Sequence, residues 1–306
     1  MSRDGARHAA RPAVAPRGVL GIDAAWTAGQ PSGVALVVER GGGWACAGVA
    51  PCYAEFLRLA EAGGADWAAP AIAGGEADSA LLLAAAARIA PGVDVVVVAV
   101  DMPLARGPVV CRREADDAIA RTFGARGCGT HSPTERRPGP IADRLHRSFA
   151  RRGFALATAA ARGGRSLVEV FPHTALLALL GSAYRVPYKA ARAGRYWPDA
   201  SPLERRERLL REWRRILRAL RSRIDGIDLP LPRAAPPHGR MKRYEDALDA
   251  LLCAWVGIEF LEGRALPYGD PDAAVWTPGA PTRGGGVTTR RARGGDGPAR
   301  ARPAPG

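Results

Sequence analysis

Residues 93–100 read Val-Asp-Val-Val-Val-Val-Ala-Val and end at Asp101. A run with so little polar interruption has no solvent face, so as a strand it must be covered on both sides. That requirement predicts the α/β class, a largely parallel sheet between two layers of helix. The acid that ends the run is as informative as the run itself. A carboxylate leaving a core is costly unless a metal ion or a basic side chain meets it. The pattern recurs at Asp23, which closes Val19-Leu20-Gly21-Ile22. Asp246 and Asp249 stand in the apolar stretch Tyr244 to Trp255.

The remaining elements follow from local pattern. Val19–Ala24, Gly33–Glu39 and Trp44–Ala50 alternate with Gly-rich turns and predict an antiparallel meander. Residues 52–62, 78–90, 112–123, 140–152 and 174–180 have helical composition, and Leu167–Phe171 reads as a strand. Ser201-Pro202-Leu203-Glu204 combines a capping Ser, a Pro at the first position and a Glu at the third, which opens a helix over 203–223. Its leucines and Trp213 form one stripe with arginines opposite. Residues 225–240 read as a Pro-rich loop, 244–262 as a central helix and 273–277 as a short last strand. Residues 1–17 and 279–306 are Gly-, Pro-, Ala- and Arg-rich without periodicity and read as disordered tails around one domain, 18–278.

The net charge of +14 resides in the two tails and the 203–223 helix. Arginine carries nearly all of it, because lysine occurs only at positions 189 and 242. Such local basicity is compatible with a nucleic-acid partner without requiring one. Five cysteines with no CxxC pair argue against a disulfide framework or a zinc ribbon and fit a reducing, cytoplasmic setting. The N-terminus has no apolar h-region, and no apolar stretch is long enough to span a bilayer, so no membrane partner is expected. A Walker A motif and a Gly-x-Ser-x-Gly elbow are both absent.

Three strands followed by alternating helices and strands is the element order of the ribonuclease H-like fold. In that fold the first strand, the fourth strand and a late helix each deliver an acid to one site. The chain also resembles the domain-of-unknown-function family 429, whose members are described as predicted ribonuclease H-like nucleases. The resemblance rests on Gly21-Ile22-Asp23-Ala24-Ala25-Trp26, Val100-Asp101-Met102-Pro103-Leu104 and Cys111-Arg112-Arg113-Glu114-Ala115-Asp116. It continues in Val168-Glu169-Val170-Phe171-Pro172-His173, Glu245-Asp246-Ala247-Leu248-Asp249-Ala250 and Tyr268-Gly269-Asp270. It implies a ribonuclease H-like mixed sheet flanked by helices, and a hydrolase, a nuclease that cleaves phosphodiesters.

Asp23, Asp101, Asp246 and Asp249 are accordingly the candidate ligands for Mg²⁺ or Mn²⁺, hard cations that prefer oxygen donors. Of the helical pair, Asp249 lies deeper among apolar residues and is preferred as the ligand; the alternative is that one of the two, with Glu245, caps the helix start. Glu169 is either a further catalytic ligand or an arginine partner. Arg112 and Arg113 either fork onto a phosphate or pair with acids at a helix start. His131 and His173 read as proton shuttles, ligands or structural residues. The arginine helix reads as a nucleic-acid groove or a solvated face. Two other activities remain open: nucleotide phosphoryl transfer of the actin-like type, and a non-catalytic nucleic-acid-binding module. Against the former, Ala24-Ala25-Trp26-Thr27 lacks the glycine of a phosphate loop.

Overall fold

The computed structural model describes residues 15–159 and 164–279. The expected tails lie almost wholly outside these residues. Arg17 already belongs to the first strand, and the Gly279 N–H donates to the carbonyl of Arg264 at 2.8 Å.

One mixed sheet is built from β1 (Arg17–Asp23), β2 (Gly33–Arg40), β3 (Gly43–Ala50), β4 (Asp94–Val100), β5 (Ala155–Leu156), β6 (Ser166–Val170), β7 (Ala265–Gly269) and β8 (Ala274–Pro278). The strand order is β3-β2-β1-β4-β6-β8-β7, with β5 paired to β6. β1, β2 and β3 form the predicted antiparallel meander. β4, β6 and β8 continue from β1 in parallel, and β7 runs antiparallel at the edge. The valine run is central, as its composition requires. Val97 and Ala99 enter one core, while Val95, Val98 and Val100 enter the other. From Val97 to Val100 this is the period-2 geometry of a strand, and the register shift between Gly18 and Val19 interrupts it at Val96.

One face is covered by α1 (Tyr53–Ala62), α2 (Ser79–Ile89) and α4 (Pro140–Ala150), through Phe56, Leu82 and Phe149. The other is covered by α5 (Pro172–Leu180), α7 (Pro202–Arg221) and α8 (His238–Leu261). α3 (Glu114–Phe123) packs Ala115 and Ile119 against Val275 beyond the parallel strands, and α6 (Ala193–Tyr196) is a single turn.

α8 lies on the sheet at unusually close range, and glycine makes this possible. A methyl group on Gly21 would stand 2.2 Å from the carbonyl oxygen of Ala250, and one on Gly33 only 2.1 Å from that of Asp246. Without side chains at these points the helix backbone rests directly on β1 and β2. This approach carries the acids of α8 to the end of β1.

Several boundaries differ from the sequence reading. α8 begins at His238 rather than 244, because Pro237 ends the loop and the helix extends through a basic first turn. α5 begins at Pro172, whose fixed φ suits a first helical position. α3 begins at Glu114, two residues later than expected, with Arg113 as its capping residue. β7 went unread because Pro267 and Gly269 disfavour a strand; an edge position tolerates both. The capping box of α7 forms as predicted: Ser201 Oγ accepts from the Glu204 N–H at 3.3 Å, and Glu204 accepts from the Ser201 N–H at 2.7 Å. Several α7 arginines hold loops in place. Arg205, Arg214 and Arg221 donate to the carbonyls of Trp197, Pro232 and Ile227 respectively. The cysteines are all free, and no helix among the described residues is long and apolar enough to cross a membrane.

Candidate functional site

Parallel pairing fixes the first two acids. Ile22 and Val100 are neighbours in register, and the Asp101 N–H donates to the Ile22 carbonyl at 2.9 Å. Asp23 and Asp101 therefore emerge side by side at the carboxyl end of the sheet, where open α/β sheets place their ligands. Val100 pairs with Glu169 in the next strand. These residues line a cavity of about 510 Å³, with Lys189, Lys242, Arg185, Arg192, His131 and His173 on its walls.

From α8, Lys242 and Glu245 line the same cavity, while Asp246 and Asp249 are fully buried beside them and do not line it. Asp249 accepts from the hydroxyl of Tyr188 at 2.7 Å and from the ammonium of Lys189. Lys242, one turn before Asp246, donates to its Oδ1, while Asp246 Oδ2 is buried without a donor. Asp23 lies close enough to Asp246 for its charge to push the Asp246 carboxyl up. Glu245 accepts from the Ala190 N–H at 2.6 Å and stands 3.7 Å from Lys189 and 3.8 Å from Lys242.

The electrostatics follow from crowding. Asp23 and Asp101 present an edge to the cavity and are otherwise surrounded by protein. Burial first, and then the neighbouring carboxylates, pushes the carboxyls of Asp23, Asp101 and Asp246 above the usual range. Burial alone would lower Lys189, but Asp249, Tyr188 and Glu245 hold its ammonium well above the ordinary value. Lys242 is raised in the same way by Asp23, Asp246 and Glu245 against its burial.

The other candidates separate. Arg113 grips Glu169 with both amino groups, at 2.6 and 2.7 Å, and also holds Asp116 at 3.0 Å. A third bond, from the Leu104 N–H at 2.7 Å, completes the surroundings of Glu169. Of the two roles open to Glu169, the arginine pair is the one formed, and Arg113 is correspondingly committed. Arg112 is turned to Asp117 at 2.5 Å and Ser132 at 3.1 Å, away from the acids. Of the helical pair, Asp249 has a donor on each oxygen, whereas Asp246 keeps one oxygen unpartnered.

Sequence reasoning passed over four cavity residues: Lys189, Lys242, Arg185 and Arg192. A signal for two of them was present. The chain has only two lysines in a basic complement of 44, and both stand among the acids.

In kind, the carboxylates are the hard oxygen donors that a divalent cation takes, and Asp246 Oδ2 is an acceptor without a donor. The fit does not extend to preset spacing. Among the described residues no three His, Cys, Asp or Glu side chains are placed to hold a metal ion, and the lysine ammoniums supply the local positive charge.

Fold and site define an α/β protein with a carboxylate–lysine centre at the carboxyl edge of its parallel strands. Residues 21–273 match the model of DUF429, described as a protein of unknown function, and the chain belongs to that family. No curated protein and no solved structure matches the chain.

Proposed function

We propose that this centre hydrolyses a phosphate ester of nucleic acid, with Asp23, Asp101 and Asp246 holding Mg²⁺ or Mn²⁺ in a ribonuclease H-like arrangement. The observation that carries the reading is convergence. Asp23 and Asp101 from two adjacent parallel strands and Glu245 from the central helix line one cavity together with Lys189, Lys242, Arg185 and Arg192, and Asp246 is buried beside Glu245 on that helix, paired to Lys242. This is the distribution of acids that the resemblance implies.

When bound, the cation supplies an activated water and charge stabilisation at the phosphate. The protein's own groups do the rest. Lys189 and Lys242 pair with Asp249 and Asp246 and orient these carboxyls beside Asp23. Tyr188 fixes Asp249 and thereby Lys189. Burial and the nearby Arg192 and Arg185 hold His131, in the cavity lining, below the ordinary imidazole value, and its Nε2 accepts from Arg192. Activity falls at acid pH, since the three aspartates must be ionised to hold the cation.

A second reading, hydrolysis or transfer of a nucleotide phosphate, draws support from the cavity, whose volume suits a small ligand. One panel tests both readings. Labelled DNA, RNA, hybrid and branched substrates, together with nucleoside triphosphates, are incubated with Mg²⁺ or Mn²⁺ and wild type, Asp23→Asn or Asp101→Asn, with folding checked by circular dichroism. Metal-dependent cutting lost in both variants supports the nuclease; triphosphate hydrolysis lost in both supports the second reading. No turnover on any substrate by folded, metal-binding protein overturns both in favour of a binding module.

A further inference from the structure

The basic side chains of the cavity fall into two sets. Lys189, Lys242 and Arg113 each face carboxylates. Arg185 and Arg192 do not: among the described residues neither has an acidic partner, and each instead meets an imidazole. Arg185 donates to His173 Nε2 at 2.5 Å, and Arg192 donates to His131 Nε2 at 3.2 Å. Because a guanidinium has only donors, His173 accepts at Nε2 and carries its proton on Nδ1. That Nδ1–H has no partner, although the side chain is only 5 % exposed and lines the cavity. The Nε–H of half-buried Arg185 is likewise unpartnered.

A guanidinium bound to a neutral imidazole is a cation without a counter-ion. Two of them on one wall make an unfavourable concentration of charge unless an anion joins them. The imidazoles register that field: burial, and then the surrounding cations, hold His173 well below its ordinary value. The backbone adds to it, since Phe171 and His173 bring the N-terminus of α5, a helix of nine residues, to the same wall. The Arg185 guanidinium is also well anchored. The Arg185 N–H donates to the carbonyl of Arg126 at 2.9 Å and its NH1 group to that of Gly127 at 3.2 Å. Its placement therefore follows from the fold and does not depend on a ligand.

We propose that Arg185, Arg192 and His173 form an anion subsite that takes a phosphate group beside the one at the carboxylates. The substrate then carries at least two phosphates, as a strand or as a nucleoside polyphosphate. This extension to the substrate rests on the phosphate-ester reading of the cavity; the anion binding itself does not. Arginine forks match phosphate oxygens, and His173 holds the Arg185 fork through its Nε2.

The test is calorimetric titration of full-length protein with inorganic phosphate in EDTA. Arg192→Met and Arg185→Met each weaken binding tenfold or more, Arg185→Lys retains part of it, and Arg211→Met on the exposed face of α7 changes nothing. Arg192→Met is decisive if Arg185→Met fails to fold. Wild type that binds no phosphate, or equal binding by wild type and Arg192→Met, overturns the proposal. A second arm compares the dinucleotide pTpT with thymidine 5′-triphosphate; tighter pTpT supports a strand and tighter triphosphate a nucleotide, each through Arg192. Asp23→Asn separates the two readings, because it removes turnover yet leaves phosphate binding intact or stronger. Phosphate binding lost in Arg192→Met without turnover on any substrate leaves the subsite standing and the enzyme reading fallen.

Discussion

Replacing Lys189 with methionine removes one charge from the centre while leaving most of the side-chain volume. Asp249 is fully buried and has two donors, the Lys189 ammonium and the Tyr188 hydroxyl at 2.7 Å. The variant keeps the hydroxyl and leaves a buried carboxylate without its cation. Breaking a buried ion pair from one side costs about 3–5 kcal/mol. The retained Tyr188 bond places the loss toward the lower figure, about 3 kcal/mol. In a domain of this size each kcal/mol corresponds to roughly 2–4 °C, so Tm falls by about 6–12 °C. The pH dependence has a definite sign. The Lys189 ammonium is held above its ordinary value of 10.5, so its contribution is complete at neutral pH and is lost only as pH rises beyond that value. The assay is urea unfolding at pH 7 in EDTA, followed by tryptophan fluorescence. Lys189→Met/Asp249→Asn recovers much of the loss, because the double variant buries neither charge. A loss under about 1 kcal/mol in the single variant, or no recovery in the double, refutes Lys189 as the counter-ion of Asp249.

Three further outcomes follow from the same geometry. Since Asp23, Asp101 and Asp246 are raised in the fold, the metal-free protein loses stability as pH rises from their unfolded value of 3.8 through their folded values; Tm in EDTA therefore declines from pH 5 to 8, and Mn²⁺ flattens the decline. Gly33→Ala sets a methyl 2.1 Å from the Asp246 carbonyl, which forces α8 off β2, costs about 1–3 kcal/mol in chemical denaturation and weakens Mn²⁺ binding measured by calorimetry. Arg113→Lys keeps the charge but loses the two-pronged grip on Glu169, and costs about 1–3 kcal/mol in the same denaturation assay.

The sheet and its acids were legible for a physical reason: burial leaves a periodic trace. The run to Val100 could pack only between two layers, and the register of parallel strands then puts Asp23 beside Asp101. The contribution of α8 was half legible. Its apolar circumference placed it at the centre, but which acid keeps a free oxygen depends on Tyr188 and Lys189, about 60 residues away along the chain. The guanidinium–imidazole wall left no periodic trace at all. Arg185 and Arg192 sit in the irregular segment after α5, where one arginine among many carries no local signature and partners are chosen by tertiary folding. The Arg112 and Arg113 pair was visible as charge, yet its direction was decided by Asp117, Asp116 and Glu169.

The confinement of lysine to the acid centre makes this chain unusually simple to interrogate by chemistry. Apart from the N-terminal amine, its only primary amines belong to Lys189 and Lys242. A reductive methylation, selective for amines, therefore labels the centre and nothing else on the side chains. The isotopic methyl signals it leaves would be two clean reporters of whatever enters the cavity. A lysine-specific protease, likewise, has just two peptide bonds to cut, both within the segments that build the centre.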